Sequence, residues 1–223
     1  MIKKGDFIEL DYVGKITDTS DVFDLTSKEA ADKYNIHNEK MTYGPRIIIV
    51  GEGNILPGID IFLEGKECKE YTFDITPDKA FGKKDSKLLK LVPAAIFKKQ
   101  NIRPTPGLQL NIDGRIGTVR TVSGGRITLD FNHPLAGRNV TYELKIHRIV
   151  TDDKEKLKTV LQLFFGKNID FTLDNGNVFI DAPIPEELAN PFKEQLTRLI
   201  PRLKDITFKQ PPKTDTPKTH NKT

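Results

Sequence analysis

Hydrophobic and polar residues alternate in short runs along the first part of the chain, a pattern typical of β-strands. In FIELDYVGKI, Ile8, Leu10 and Tyr12 fall on one face and the acidic residues between them fall on the other. The alternation recurs in YTFDITP and in the longer NVTYELKIHRIV, and RIIIV indicates a short buried strand. After the glycine-rich loop GEGNILPG, apolar residues at helical spacing predict one helix. These patterns predict a mixed α and β fold.

The pattern and the charge both change at about residue 83. Residues 83–130 predict a short strand, a helical turn and three alternating strands, joined by the hairpin dipeptides Asp113-Gly114 and Gly124-Gly125. This segment carries ten Lys and Arg against three Asp and Glu, a net charge of +7, whereas the whole chain carries +4. We therefore expect a separate, β-rich and basic module.

A third pattern begins after residue 150. Leu157, Val160, Leu161 and Phe164 recur at the spacing of an amphipathic helix. Two short strands around the turn DNGN, a second helix and a last strand follow, which predicts an α/β unit over 151–210. The closing segment, 211–223, is rich in Pro, Thr and Lys and is predicted to be disordered.

The composition is that of an ordinary folded protein, with 30% charged and 37% hydrophobic residues in 223. No apolar run approaches the roughly 20 residues of a membrane span, and the N-terminus lacks the apolar core of a secretion signal. The single cysteine, Cys68, excludes an intramolecular disulfide and a cysteine metal cluster. We expect a cytoplasmic protein without a membrane or metal site.

The glycine-rich loop does not have the sequence of a phosphate-binding loop. Such a loop requires Lys and Ser or Thr after its last glycine, whereas Ile59 and Asp60 follow here. Glu52 and Asp60 would also repel a phosphate. The four histidines show no metal-ligand spacing; we expect His147 to be a solvated surface residue, and His133 to line a pocket or to shape a turn.

The basic segment, residues 83–130, also suggests nucleic-acid binding as a candidate function. Stacking platforms need several aromatic residues among the basic ones. Residues 83–130 contain one aromatic residue, Phe97, and Phe131 follows at their end. A solvated basic surface is therefore favoured over specific nucleic-acid recognition.

Five motifs in order carry a family resemblance: LDYVGKI, VFDLT, PRIIIVGEGNILPGIDIFLEG, YTFDITPDKAFG and NHPLAGRNVTYELKIHRIV. Together they resemble the FKBP-type peptidyl-prolyl isomerase domain, and more closely its SlyD-like, long-type archaeal branch. The resemblance implies an α+β fold in which an antiparallel half-barrel wraps a central helix. It implies an isomerase domain of residues 1–82 plus 131–150, interrupted by an insert-in-flap chaperone domain, residues 83–130. Residues 151–210 would be the C-terminal α/β extension.

The resemblance also implies a prolyl pocket built from all five motifs. Its members would be the catalytic residues Asp24, Tyr142 and Phe81 and the substrate-binding residues Tyr12, Phe23, Ile55, Leu56, Ile59 and Leu135. Ile59 would form the floor, where many small members of the family carry Trp, and Arg46 stands where they carry an aromatic residue. Both departures imply an altered affinity for macrolide inhibitors.

The implied activity is that of a peptidyl-prolyl cis-trans isomerase and folding chaperone that needs no cofactor and acts on X-Pro bonds of unfolded or nascent polypeptides. Leu91, Ile96 and Phe97 would line an apolar chaperone groove in the insert, or else form its own small core. The alternatives are a holdase without isomerase activity and a ribosome- or RNA-associated factor. A homodimer could form through the C-terminal unit, with Phe164, Phe179 and Phe192 in the interface.

Overall fold

A computed structural model describes residues 1–209, so the tail predicted to be disordered, 211–223, lies outside the described residues. No helix within residues 1–209 is both long and apolar enough to cross a membrane. The strands are β1 (Phe7–Ile16), β2 (Val22–Leu25), β3 (Arg46–Ile49), β4 (Glu70–Ile75), β5 (Leu89–Pro93), β6 (Gln109–Ile112), β7 (Arg115–Ser123), β8 (Arg126–Asp130), β9 (Val140–Val150), β10 (Phe171–Asp174), β11 (Asn177–Ile180) and β12 (Ile206–Phe208). The α-helices are α1 (Lys28–Lys33), α2 (Pro57–Leu63), α3 (Ala94–Lys99), α4 (Asp153–Phe165) and α5 (Glu186–Leu199).

The first part of the chain forms an antiparallel five-stranded sheet. Its strands follow the order β2-β1-β9-β4, and β3 pairs with the first half of β1. The alternation in β9 buries its apolar residues on the face that α2 covers, among them Leu144 and Ile146. Ile59 and Leu63 of α2 are completely buried there. The fold is therefore of the mixed α+β class with antiparallel sheets, as the sequence predicts.

Helix α2 lies very close to strand β4 and to the 3-10 turn Pro77–Lys79 that follows it. Pro57 begins the helix, where its fixed φ is favourable and its missing N–H costs nothing. A Cβ placed on Gly58 would come within 2.3 Å of Ile75 Cγ2 and 3.1 Å of the Lys79 carbonyl oxygen. A side chain at position 58 would therefore push the helix off the sheet, and only glycine permits this approach.

Residues between β4 and β9 form a second antiparallel sheet, with the order β5-β8-β7-β6, against which α3 packs. Its hairpins turn at Asp113-Gly114 and Gly124-Gly125, whose φ angles are all positive, as these dipeptides predict. Phe97, Val119, Ile127 and Leu129 form a small core of their own. Residues 83–130, which contain this sheet, carry the net charge of +7 counted in the sequence.

The C-terminal residues form a three-stranded sheet, β10-β11-β12, in which β11 and β12 run parallel, with helices α4 and α5. The core of this unit is not self-contained. Leu157 and Leu196 pack in one cluster with Phe7, Ile49 and Val150 of the five-stranded sheet. The boundary predicted at residue 150 therefore runs through a shared core, which fixes the C-terminal unit against the sheet.

Candidate active site

Four aromatic side chains meet at the β2 side of the five-stranded sheet. Tyr12 comes from β1, Phe23 from β2 and Tyr142 from β9, and Phe81 follows the 3-10 turn after β4. The Phe23 ring meets the edges of Phe81 and Tyr142 at centroid distances of 5.5 and 6.0 Å, and Tyr12 lies 5.8 Å from Tyr142. Tyr142 is buried, whereas Tyr12, Phe23 and Phe81 remain half-exposed. The four aromatic residues predicted from the sequence thus form one cluster, and solvent reaches it through the three half-exposed rings.

Asp24 holds one of these rings through a hydrogen bond. The Tyr12 hydroxyl donates to Asp24 Oδ2 at 3.0 Å. Burial, followed by the nearby Asp24 carboxylate, raises the pKa of Tyr12 to about 12. Burial, followed by Asp24, also raises the pKa of Tyr142. Both phenols therefore keep their protons at neutral pH, so the cluster offers aromatic surface and hydroxyl groups without phenolate charge.

Two residues that sequence reasoning missed shape this cluster. A Cβ on Gly14 of β1 would lie 2.8 Å from Phe23 Cζ and 3.0 Å from Tyr142 Cζ, so the missing side chain gives both rings their space. The buried Thr26 accepts the Tyr12 backbone N–H at 3.0 Å and donates to Asp11 Oδ1, which fixes β1 beside Tyr12. A glycine within a predicted strand often marks a close approach of other atoms, and this signal could have identified Gly14 from the sequence. No comparable signal in the sequence identifies Thr26.

The glycine-rich loop between β3 and α2 lies beside the cluster, with Ile55 and Leu56 half-buried against it. Asp60 of α2 organises the loop from within. Its carboxylate accepts the Gly51 N–H at 2.7 Å and the Gly53 N–H at 3.3 Å. Ile59, the predicted pocket floor, is completely buried. Its side chain therefore exposes no surface to a ligand in this structure.

The NHPLAG segment, residues 132–137, lies on the other side of Phe81. The His133 ring stacks on Phe81 with centroids 4.6 Å apart and planes 1° apart. His133 Nδ1 also accepts the Leu135 backbone N–H at 3.2 Å, so the residue both shapes its turn and borders the aromatic cluster. Leu135 is half-buried but is not packed against the core of the sheet.

Of the three residues predicted for the chaperone groove, Ile96 and Phe97 line one cavity of the second sheet and Leu91 does not. Phe97 is only 4% exposed and belongs to the core of the second sheet, which is the alternative left open by the sequence. Ile96 is exposed and borders a cavity of about 430 Å³, together with Val92, Leu110 and other apolar side chains. Leu91 is exposed but does not line this cavity, because neighbouring residues of a strand point to opposite faces.

A cavity of about 700 Å³ lies beside β1 and β9, and Tyr12 of the aromatic cluster is among the residues that line it. Asp11, Glu143, Lys145 and His147 contribute charged and polar groups to it. His147 Nε2 lies 2.8 Å from Asp11 Oδ2. His147 lies at the surface, as the sequence predicts, and the structure adds a cross-strand carboxylate partner that the sequence does not reveal.

Comparison with known proteins identifies the family to which this chain belongs. Over 160 residues the chain is 31% identical to the short-type peptidyl-prolyl cis-trans isomerase of Methanocaldococcus jannaschii, covering 70% of this chain and 98% of that protein. It is 33% identical over 108 residues to a probable FKBP-type 16 kDa peptidyl-prolyl cis-trans isomerase of Pseudomonas fluorescens. This match covers 46% of this chain and 71% of that protein.

Two further matches agree with these relatives. The chain is 29% identical over 111 residues to the FKBP-type isomerase SlyD of Vibrio cholerae, covering 47% of this chain and 55% of that protein. The family model described as "FKBP26, IF domain" matches residues 90–135. The chain belongs to the FKBP-type peptidyl-prolyl cis-trans isomerases, a family of enzymes.

Proposed function

We propose that this chain catalyses the cis-trans isomerisation of X-Pro bonds in unfolded or nascent polypeptides, in the pocket bordered by Tyr12, Phe23, Phe81 and Tyr142. One observation supports the location of the site: aromatic rings from four separate segments form one cluster beside Asp24, and all of them except Tyr142 stay partly accessible at the surface. The family membership supports the reaction, and the cluster supports its location.

The reaction requires no covalent chemistry. Amide resonance gives the X-Pro bond a rotation barrier of roughly 18–20 kcal/mol. The planar form is also charge-separated, so water around its carbonyl stabilises it relative to the twisted form. An aromatic pocket excludes water from the carbonyl and so favours the twisted amide relative to the planar one. A thousandfold acceleration needs only about 4 kcal/mol of differential binding. Neutral rings at this site can supply such an environment.

The proposed roles of the site residues follow from their contacts. Asp24 orients the Tyr12 hydroxyl and the twisted carbonyl and transfers no proton. Ile55 and Leu56 hold the peptide backbone from the loop beside the rings, and Leu135 closes over the prolyl ring from the NHPLAG segment. Ile59 acts as the buried support of the pocket rather than as an exposed floor.

We propose that residues 83–130 are an insert-in-flap chaperone domain, characteristic of the long-type archaeal branch. Ile96 and Val92 border its apolar cavity and would hold extended segments of unfolded chains before the prolyl pocket receives them. Phe97 would shape the cavity from the core. The net charge of +7 would attract acidic clients over distances comparable to the Debye length.

Residues 151–210 would be the C-terminal extension of that branch and could form a homodimer. Phe164 and Phe179 are 43% and 44% exposed and are available for such an interface. Phe192, expected in the interface, is instead buried within the chain and stacks on Phe164 with centroids 4.0 Å apart. The proposed interface therefore uses Phe164 and Phe179 without Phe192.

The direct test is catalysis of a proline-limited refolding reaction by the full chain, with a short proline peptide as the second substrate. We expect acceleration of both reactions, and Asp24→Asn and Tyr12→Phe should each lower kcat/KM for the peptide. Tyr43→Phe is a matched control. The Tyr43 hydroxyl accepts the Asn38 backbone N–H at a distance of 2.8 Å, and this bond lies outside the aromatic cluster. Absence of acceleration at stoichiometric protein would refute the isomerase and leave a holdase. Binding of RNA with sequence selectivity at physiological salt would instead favour a nucleic-acid function.

A further inference from the structure

A bidentate ion pair joins the glycine-rich loop to the C-terminal unit. Arg198, in the last turn of α5, donates from Nη1 to Glu52 Oε1 and from Nη2 to Glu52 Oε2, both at 2.8 Å. The two residues are 146 positions apart in the sequence. A planar guanidinium that meets both carboxylate oxygens fixes orientation as well as distance, which a lysine ammonium cannot do.

Only the carboxylate side of this pair is shielded from solvent. The Glu52 side chain is 14% exposed, whereas that of Arg198 is 56% exposed. The hydrogen bonds from Arg198 lower the pKa of Glu52, against the opposing effect of burial. Glu52 is therefore ionised at neutral pH, where the pair is complete.

Both ends of the pair are connected to rigid structure. Leu196 and Leu199 of α5 are buried in the same core cluster as Ile49, the last residue of β3. The loop starts directly after this strand. The shared core therefore fixes the position of α5 relative to the start of the loop, and Arg198 can hold Glu52 at a defined place.

The loop itself needs such an anchor. Gly51 and Gly53, on either side of Glu52, have φ angles of +80° and +68°, in the left-handed region that favours glycine. Glycines leave the backbone many alternative conformations. Asp60 holds the two glycine N–H groups from the α2 side, and Arg198 holds Glu52 from the α5 side. The loop is fixed between these two contacts just before Ile55 and Leu56.

We propose that Arg198 and Glu52 are positioning residues for the isomerase site: the C-terminal unit holds the loop, residues 51–56, in the shape that receives a prolyl peptide, without touching that peptide. The inference rests on the proposed function, since it assigns Ile55 and Leu56 to the substrate. It gives residues 151–209 a role in peptide binding in addition to any role in dimerisation.

The test measures kcat and KM of the full chain for a short proline peptide, together with hydrogen exchange of the loop amides. A loosened loop loses contacts made to the ground state and the transition state alike, so KM should rise with little change in kcat. We expect Arg198→Ala and Glu52→Gln to raise KM about fivefold, the size expected for about 1 kcal/mol. Exchange at residues 51–56 should become faster, and Arg198→Lys should restore only part of the effect.

Arg202→Ala is the matched control. Arg202 belongs to the same unit, is 84% exposed and lies 3.8 Å from Asp153, so its loss should leave KM and loop exchange unchanged. The charge swap Glu52→Arg with Arg198→Glu should recover part of the lost affinity. If the wild-type chain is active but Arg198→Ala changes neither KM nor loop exchange, this inference is overturned and the proposed function stands. An inactive wild-type chain would refute the proposed function, and unchanged loop exchange in Arg198→Ala would then refute the anchoring as well.

Discussion

Gly14 is the position where the smallest change should damage the proposed pocket most. In Gly14→Ala, the new Cβ would lie 2.8 Å from Phe23 Cζ, well inside the ordinary contact distance of 3.4 Å or more. Because the φ angle of Gly14 is not in the left-handed region, alanine meets no backbone strain. To reach 3.4 Å from the new Cβ, the Phe23 ring must move by about 0.6 Å (3.4 less 2.8) and the Tyr142 ring by about 0.4 Å (3.4 less 3.0).

The stability cost should be modest, because two effects oppose each other. Overpacking a well-packed site costs roughly 1–3 kcal/mol. Replacing glycine by alanine within a strand recovers roughly 0.5–1 kcal/mol of backbone entropy. We expect a net loss of about 1 kcal/mol in the free energy of unfolding, which leaves the chain folded. Activity should fall even though the chain stays folded, because a displacement of about 1 Å in a binding site can cost a hundredfold in rate and a smaller displacement costs correspondingly less.

The assay is kcat/KM for a short proline peptide, with denaturant unfolding of the same preparations. We expect Gly14→Ala to lower kcat/KM about tenfold, equivalent to about 1.4 kcal/mol. Gly117→Ala is the matched control, since a Cβ on this glycine of β7 would lie 2.8 Å from Phe131 Cε1 in the second sheet. Its stability cost should be similar, with peptide turnover unchanged. A folded Gly14→Ala chain with wild-type kcat/KM would show that the ring cluster is not the isomerase site.

Three further outcomes follow. Folding raises the pKa of Tyr12 from 10.0 to about 12. The protonated Tyr12 hydroxyl therefore contributes fully to the free energy of unfolding below pH 10, and this contribution is lost as the pH rises toward about 12. In Tyr12→Phe, the free energy of unfolding should not show this part of the decrease between pH 10 and about 12. Ile96→Ser should weaken acceleration of protein refolding but not of peptide turnover, whereas Leu91→Ser, outside the cavity, should change neither. Phe164→Ser with Phe179→Ser should convert a dimer to monomer in sedimentation, and a dimer that survives both changes would place the interface elsewhere.

Much of the fold could be predicted from local sequence patterns. Strand alternation in β1 and β9 fixes which side chains face α2, because a one-residue slip would expose Leu144 and Ile146 to water. Likewise, Asp113-Gly114 and Gly124-Gly125 predict the hairpins of the second sheet, because their positive φ angles suit few other residues. These features depend on neighbours in the sequence, so the sequence alone indicates them.

The candidate site was predictable for a different reason. Taken singly, Tyr12, Phe23, Phe81 and Tyr142 have the pattern of core residues, and only the order of the five motifs linked them to one pocket. The same reasoning could not distinguish core from groove in the second sheet, where Phe97 is buried and Ile96 is exposed. Adjacent apolar residues on a short helix differ only in what packs against them, and that depends on residues far along the chain.

The sequence by itself determined the class of fold, the strand alternation and the motif order that identifies the family. Only the tertiary structure decided the contacts between distant segments: the space that Gly14 leaves for two rings, the pairing of His147 with Asp11, and the ion pair between Glu52 and Arg198. Local patterns record which face of an element is apolar, because burial repeats with the period of the strand or helix. They do not record the partner of a charged or missing side chain, because that partner is set by how the elements pack.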